Sequence, residues 1–393
     1  MTADLVLRRG DDDPLVIAVR DRLVATGDLA AASSSSQADV PDDATFSLEL
    51  ERAVRSFQQR RGLLVDGIVG PQTFRALEAA RWNLGDRILL HTPGHLMDGD
   101  DVAALQERLL SLGFPCGRVD GVFGWQTDGA LRQLQRGVGL RADGLAGPQT
   151  LRALQQLSRA VTGGRPHALR EADVVRAAGP NLSGRVIVLD PGHSSEQGAH
   201  HGAQAHGIVE SEAVLDLARR IEGRLAAVGV QVVLTRGLTG DPTEHDRAEL
   251  ANTLGADLLL SFHCEALRDR PQANGVACFF YGHPDQHGAW SGVGEQLATL
   301  VQREIVARTD LTDCRVHART WDLLRMTRMP AVRVEVGHLT HEGDAYRLSQ
   351  PDFRDTIAEA VVAAIQRLYL VDEDDAATGT LNVADVLARA GRP

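Results

Sequence analysis

The stretch "AVRSFQQRRGLLVDGIVGPQTFRAL", beginning at Ala53, returns as "ALRQLQRGVGLRADGLAGPQTLRAL", beginning at Ala130, an offset of 77 (130 minus 53). The match is ungapped. It pairs Phe57 with Leu134, Gln58 with Gln135, Asp66 with Asp143, and Gly70-Pro71-Gln72-Thr73 with Gly147-Pro148-Gln149-Thr150. A duplication of this length constrains the fold more than any other feature of the chain, because each copy must be one supersecondary unit with its own buried face. In both copies an apolar-periodic segment (residues 50–60 and 128–136) predicts a helix. An Asp-Gly turn follows, where glycine supplies a positive φ. A second glycine then precedes Pro-Gln-Thr, with the proline suited to a first helical turn. Upstream helices are predicted over 15–26 and 101–112, so two small all-α three-helix modules are expected, over 1–80 and 83–158. The polar stretch "AASSSSQADVPDD" interrupts the first. The same turn motif occurs once more, as "VDGVFGWQT" over 119–127.

These residues resemble the peptidoglycan-binding module found beside bacterial cell-wall hydrolases, over about residues 5–158. The resemblance implies a groove between helices for glycan and peptide. Structural spacers or a protein-docking surface remain alternatives, since the Asp-Gly-x-x-Gly residues serve the fold as much as a ligand.

At 393 residues the chain needs two or three domains, and 43% apolar content is enough to bury their cores. A net charge of -12 argues against a general nucleic-acid binder, which needs a basic face. The cysteines Cys116, Cys264, Cys278 and Cys314 form no C-x-x-C pair, so buried thiols are expected in place of a disulfide framework or a cysteine zinc site. No run reaches the length of a membrane span, and the N-terminal stretch has no apolar signal core. A cytoplasmic location is expected, with export by another route left open.

Residues 159–182 read as a linker. From 183 to 371 the periodicity changes, and short β-branched runs alternate with amphipathic helices, which predicts an α/β domain with a mixed sheet and helices on both faces. Reactive groups in such folds gather at strand ends. The strand "RVIVLD" runs into His193, "DLLLSFH" runs into His263, and a helix opens at Glu210. The spacings of 17 (210 minus 193) and 53 (263 minus 210) carry little information. The donor types carry more: two imidazoles and a carboxylate suit a zinc ion with one position left for water. Glu335 sits mid-strand between Val334 and Val336, where a carboxylate needs a partner or a raised pKa. Arg325 or Arg333 is the alternative partner. Glu212 competes with Glu210 as ligand. Cys264 should point into the core and Glu265 back toward His263, while Trp321 could line the cleft or, as the preferred reading, pack. His200, His201 and His206 lie in a polar loop that offers a second metal site as an alternative to plain solvation.

The segments "VIVLDPGH", "GIVESEAVLDLA", "RAELAN", "LLLSFHCEA", "NGVACFFY" and "LLRMTRMPAVRVEVGHLT" resemble, in order and frame, the zinc-dependent N-acetylmuramoyl-L-alanine amidases of the amidase-3 type. The resemblance implies that His193, Glu210 and His263 bind Zn2+ and that Glu335 is the catalytic general base, then the acid. The substrate would be peptidoglycan or a muropeptide, cut between N-acetylmuramic acid and L-alanine. Departures are Ser194-Ser195 after the first histidine, Glu265 in place of asparagine, and His338 and His341 in place of phenylalanine and asparagine. The two-module layout resembles an actinobacterial group, some of whose members act inside the cell as regulators of peptidoglycan precursor synthesis, so a regulator or scaffold with little hydrolysis is the alternative. The acidic tail, 372–393, carries Thr378 and Thr380 and is expected to be flexible. A phosphothreonine reader or a biosynthetic enzyme could dock there.

Overall fold

The computed structural model describes residues 6–30, 44–158, 171–172, 175, 179, 181–193, 202–267, 270–283 and 286–369. Ser194, Ser195, His200, His201 and the tail with Thr378 and Thr380 lie outside these.

The first module contains α1 (Pro14–Ala25), α2 (Leu48–Arg61) and α3 (Pro71–Ala79). The second contains α4 (Asp100–Ser111), α5 (Trp125–Gly137) and α6 (Pro148–Ser158). Helix α5 starts earlier than its apolar period suggests, because Gly124 caps it and Trp125 takes the place that Pro71 and Pro148 occupy elsewhere. Each turn motif closes on a buried glutamine. Gln58 Nε2 donates to Asp66 Oδ1 (2.7 Å), the Ile68 carbonyl (2.9 Å) and Thr73 Oγ1 (3.1 Å), while its Oε1 accepts from Gly67 N–H (2.9 Å). Gln135 repeats the pattern with Asp143, Leu145, Thr150 and Gly144. Gln106 repeats it again with Asp120, Val122, Thr127 and Gly121. The Asp, Gly and Thr of the motif are therefore spent on one buried amide, and the turn glycine adopts φ of 72 to 75° in all three.

The α/β domain runs β1 (Val186–Pro191), β2 (Gln204–Ala205), β3 (Ile208–Val209), α7 (Glu210–Ala227), β4 (Gln231–Leu234), α8 (Glu244–Leu254), β5 (Leu258–Glu265), β6 (Val276–His283), β7 (Gln286–Trp290), α9 (Gly292–Arg308), β8 (Asp313–Arg319), α10 (Asp322–Met326), β9 (Ala331–His338), α11 (Glu342–Ser349) and α12 (Pro351–Tyr369). Strands β4, β1, β5 and β9 are parallel neighbours in that order. Strand β6 is antiparallel to β9 and parallel to β8, and its end pairs with β7, which makes the sheet mixed. Strand β1 continues one residue past the "RVIVLD" run. It pairs through Pro191 with Phe262 of β5, and Gly192 N–H then donates to the Phe262 carbonyl, so the missing proline N–H costs no ladder bond.

One sheet face packs Ile187, Leu189, Phe262, Val334 and Val336 against α7, α9 and α12. The other face is covered by α8 and α10 and by the second module. Val188, Leu259, Phe279 and Ala331 share one apolar cluster with Leu105, Phe123 and Leu131. Buried polar contacts bind the same surfaces. Arg118 donates to the carbonyls of Leu324 (3.1 Å) and Thr327 (2.6 Å), and Tyr281 Oη donates to the Val119 carbonyl (2.5 Å). The first module keeps a separate core but also docks, through Gln72 to Glu244 (2.8 Å) and Arg75 to Asp322 (2.5 Å). Among the described residues no helix is long and apolar enough to cross a membrane.

Candidate metal centre

Three elements converge at the carboxyl ends of β1 and β5. His193 follows β1, Glu210 opens α7, and His263 lies in β5; one ligand atom from each lies within 4.8 Å of the others. Glu210 Oε1 is 3.0 Å from His193 Nε2 and 3.4 Å from His263 Nδ1. The carboxylate is aimed by two backbone donors, Cys264 N–H to Oε1 (2.8 Å) and Ala203 N–H to Oε2 (2.8 Å). The short β2–β3 pair brings Ala203 to that position.

The backbone around His193 is held under constraint. His193 has a φ of 59°, the left-handed region that a side chain other than glycine occupies at a cost. Two buried arginines stabilise it. Arg247 Nη2 donates to the His193 carbonyl (2.7 Å), and Arg236 donates to the carbonyls of Pro191, Gly192 and Ser211, each at 2.8 Å. Burial pulls the Arg236 guanidinium down to about 10, which still leaves it charged at neutral pH. Asp190 accepts from Ser261 Oγ (2.6 Å), Thr235 Oγ1 (2.5 Å) and Arg247, which anchors the clamp to the sheet. Glycines leave room for the rings. A Cβ on Gly192 would meet the His263 ring at 2.2 Å, and one on Gly202 would meet Glu210 Oε2 and the His193 ring at 2.9 Å.

The electrostatics suit a cation. Burial would raise the Glu210 carboxyl, but the His193 and His263 rings beside it outweigh this and hold the group well below the usual carboxylate range. Burial, with Arg333 nearby, pushes His263 down to about 3, so its imidazole is neutral and able to ligate. His263 Nδ1 is buried without a hydrogen-bond partner and faces Glu210. An orphaned buried acceptor beside an ionised carboxylate and a second imidazole is the donor set a divalent metal such as zinc would satisfy.

Glu335 stands one strand away, in register with His263. It is buried, and burial pushes its carboxyl up to about 7, with Arg333 opposing and Glu265 and Glu210 adding to the rise. Arg333 donates from Nε (2.9 Å) and Nη2 (2.7 Å), both to Oε1. Arg325 turns instead to Asp322 and the Asp120 carbonyl.

The remaining candidates separate cleanly. Glu212 is exposed, as is His206. Cys264 is buried on the opposite face among the α7–α12 core. Trp321 packs on Phe279, with ring centroids 4.7 Å apart. A bulge after His263 shifts Glu265 into register with His338, and Glu265 Oε1 accepts from Ala266 N–H (3.0 Å). His341 is the N-cap of α11, its Nδ1 accepting from Asp344 N–H (3.2 Å), so it serves the helix in the role an asparagine would serve. The sequence offered Arg333 as one of two partners for Glu335, and the structure pairs them, but it suggested no role for Arg236, Arg247 or Asp190. The available signal was charge in apolar runs, as in "VLTR" and "AVRVEV".

Comparison with known proteins agrees with this architecture. Residues 187–367 match the N-acetylmuramoyl-L-alanine amidase family, and residues 12–77 and 98–154 match the peptidoglycan binding domain. The N-acetylmuramoyl-L-alanine amidase CwlM of Mycobacterium tuberculosis is 48% identical over 98% of this chain and 96% of that protein. The chain belongs to the N-acetylmuramoyl-L-alanine amidase family. Within this amidase family, LytC of Bacillus subtilis is 29% identical over 45% of this chain and 34% of its own length. Among solved structures, the amidase AmiC2 of Nostoc punctiforme is 29% identical, covering 47% of this chain and 97% of its own, with a TM-score of 0.42.

Proposed function

We propose that the chain hydrolyses the amide between N-acetylmuramic acid and L-alanine in peptidoglycan or muropeptides, with zinc held by His193, Glu210 and His263. The observation that carries this reading is the trio of donors, with Glu335 in register beside His263. Zinc bound there would supply Lewis-acid chemistry, polarising the scissile carbonyl and the attacking water. Glu335 then takes the proton from that water and returns it to the departing alanine nitrogen. A carboxyl raised to about 7 is matched to both halves of that task near neutral pH. The arginine clamp on Pro191, Gly192 and His193 keeps the first ligand in place through the cycle.

The test is zinc stoichiometry followed by incubation with purified muropeptide and detection of free stem peptide by mass spectrometry. Glu335→Gln should keep the metal and lower the rate by about 10²–10⁴-fold. Bound zinc without release of peptide by the wild-type chain, on several substrates, removes the hydrolytic reading.

The second reading is a cytoplasmic amidase-like regulator of peptidoglycan precursor synthesis. One observation favours it: both modules are packed onto the α/β domain through contacts such as Arg118 to Leu324 and Gln72 to Glu244, which suits a single interaction scaffold better than anchors on a tether.

A further inference from the structure

The link between β8 and β9 is gripped from both sides. From the first module, the carbonyl of Arg61 accepts from Thr320 Oγ1 (2.5 Å), and that of Gly62, the left-handed cap of α2, accepts from Thr320 N–H (3.3 Å). Arg75 pairs with Asp322 (2.5 Å). Gln72 donates to Glu244 Oε2, which also accepts from Leu323 N–H (3.3 Å). From the second module, Arg118 holds the carbonyls of Leu324 and Thr327, and the Asp120 carbonyl accepts from Arg325. Between these grips lies Trp321, 7% exposed. Its ring lies 4.6 Å from the Arg333 guanidinium, the same group that forks onto Glu335 Oε1.

We propose that residues 320–327 are a strap through which the two modules hold Trp321 against Arg333, making Trp321 and Arg333 positioning residues for Glu335. The physical basis is geometric. Both donors of the fork fall on Oε1, so the second carboxylate oxygen stays outside the pair and is the one that meets water. An arginine two residues away on the same strand face would swing among several rotamers if nothing covered it, and the indole face removes that freedom while adding a cation–π attraction. Trp321 is fixed in turn because its neighbours on both sides are tied to the modules. The modules thus act on the reaction by setting the geometry of the base, whatever else they bind. This inference rests on the proposed hydrolysis for its catalytic half and on docking contacts alone for its structural half.

The experiment uses the full zinc-loaded chain and reads both halves. In hydrogen-exchange mass spectrometry, the double variant Gln72→Ala/Arg75→Ala should raise exchange of the peptide spanning 320–327 by about tenfold, with α2 still protected. In muropeptide kinetics, Trp321→Ala and Arg333→Ala should each lower kcat by about tenfold or more, with KM within about threefold, the signature of a displaced catalytic group. Trp321→Phe, which keeps an aromatic face, should stay within about threefold of wild type. The double variant should follow Trp321→Ala in direction. Unchanged exchange over 320–327 overturns the strap. Normal exchange response but wild-type kcat in Trp321→Ala overturns the positioning role. If the wild-type chain binds zinc and releases no peptide, the hydrolytic reading and with it the catalytic half fall, and the exchange result alone decides the strap.

Discussion

The turn motifs of the modules and the metal centre are both built around buried polar groups, and they differ in how completely those groups are satisfied. Each module glutamine uses both ends of its amide: Gln106 donates to Asp120, Val122 and Thr127 and accepts from Gly121. At the candidate metal centre His263 Nδ1 has no hydrogen-bond partner, Glu335 carries a carboxyl raised to about 7, and His193 sits in a left-handed backbone conformation. A closed polar network stabilises a fold, because every buried dipole recovers what it lost on leaving water. An open one costs stability and is retained where something else binds or reacts. By that measure the motif found three times among the described residues reads as architecture, and the candidate site is where chemistry is to be tested.

The largest effect that would break this contrast lies in the modules. Gln106→Leu takes one of two donors from Asp120 Oδ1, which keeps Val122 N–H, and strips the Gly121 N–H and Thr127 Oγ1 of their amide partner in a buried site. At about 1–3 kcal/mol for each unsatisfied group, partly relieved by relaxation, the loss should be about 4 kcal/mol. Urea denaturation measures it, and zinc content at low temperature should not change. A stable Gln106→Leu protein that has lost zinc would mean that the motif serves the site after all.

The next effect is a pH dependence at the site. In the metal-free chain the Glu335 carboxyl is raised from its ordinary value of 4.5 to about 7 by burial. The folded state therefore binds the proton more tightly than the unfolded state. Any stability it confers is complete below 4.5 and is lost as pH rises through 7. At about 1.4 kcal/mol per pH unit the loss is about 3 kcal/mol. Glu335→Gln cannot titrate, so its stability relative to wild type should improve by about that amount between pH 4.5 and pH 8, in chelator. A gap between the two proteins that stays flat over this range contradicts a buried, proton-binding Glu335.

Much of this contrast could be read from sequence, and the unread part has a common cause. The repeat exposed the modules, and β-branched runs ending in His193 and His263 exposed the strands of the site. The glutamines were visible only as aligned letters, Gln58 with Gln135; that Gln106 belongs with them needs the helix before the third turn to be matched in space. Strand β8 leaves a faint sequence signal because "DCRVHAR" alternates weakly and forms an edge of the sheet. The Arg247 clamp joins residues 54 positions apart to a backbone carbonyl, and no side-chain pattern encodes a carbonyl acceptor. The covering of one sheet face by the second module was likewise hidden, since its apolar residues satisfy a helix period whichever surface they meet.

Ligand removal ranks third. Glu210→Ala deletes one of the three donors and leaves the Cys264 and Ala203 N–H groups that aim it without an acceptor. Loss of groups that merely orient ligands typically costs 10–100-fold in metal affinity, so removing a ligand should cost about 100-fold or more. Competition with a chromogenic chelator reads this directly. Equal zinc affinity in Glu210→Ala would show that the trio is not the site, and the open polar atoms there would need another explanation.

The smallest effect concerns a residue that lies close to the site and yet belongs with the closed networks. His341 replaces an asparagine expected of the family, and its Nδ1 accepts from Asp344 N–H at the start of α11. If that capping bond is its whole contribution, His341→Asn should be neutral to within about 0.5 kcal/mol, because asparagine is among the preferred caps, while His341→Ala should cost about 1 kcal/mol. Zinc content and kcat should follow wild type in both variants. Thermal denaturation and the muropeptide assay, run side by side, separate the two roles. A His341→Asn protein of normal stability but altered kcat would move His341 from the closed class to the open one. It would then locate the chain's departure from its family in the chemistry of the site, where the capping geometry now places it in the scaffold.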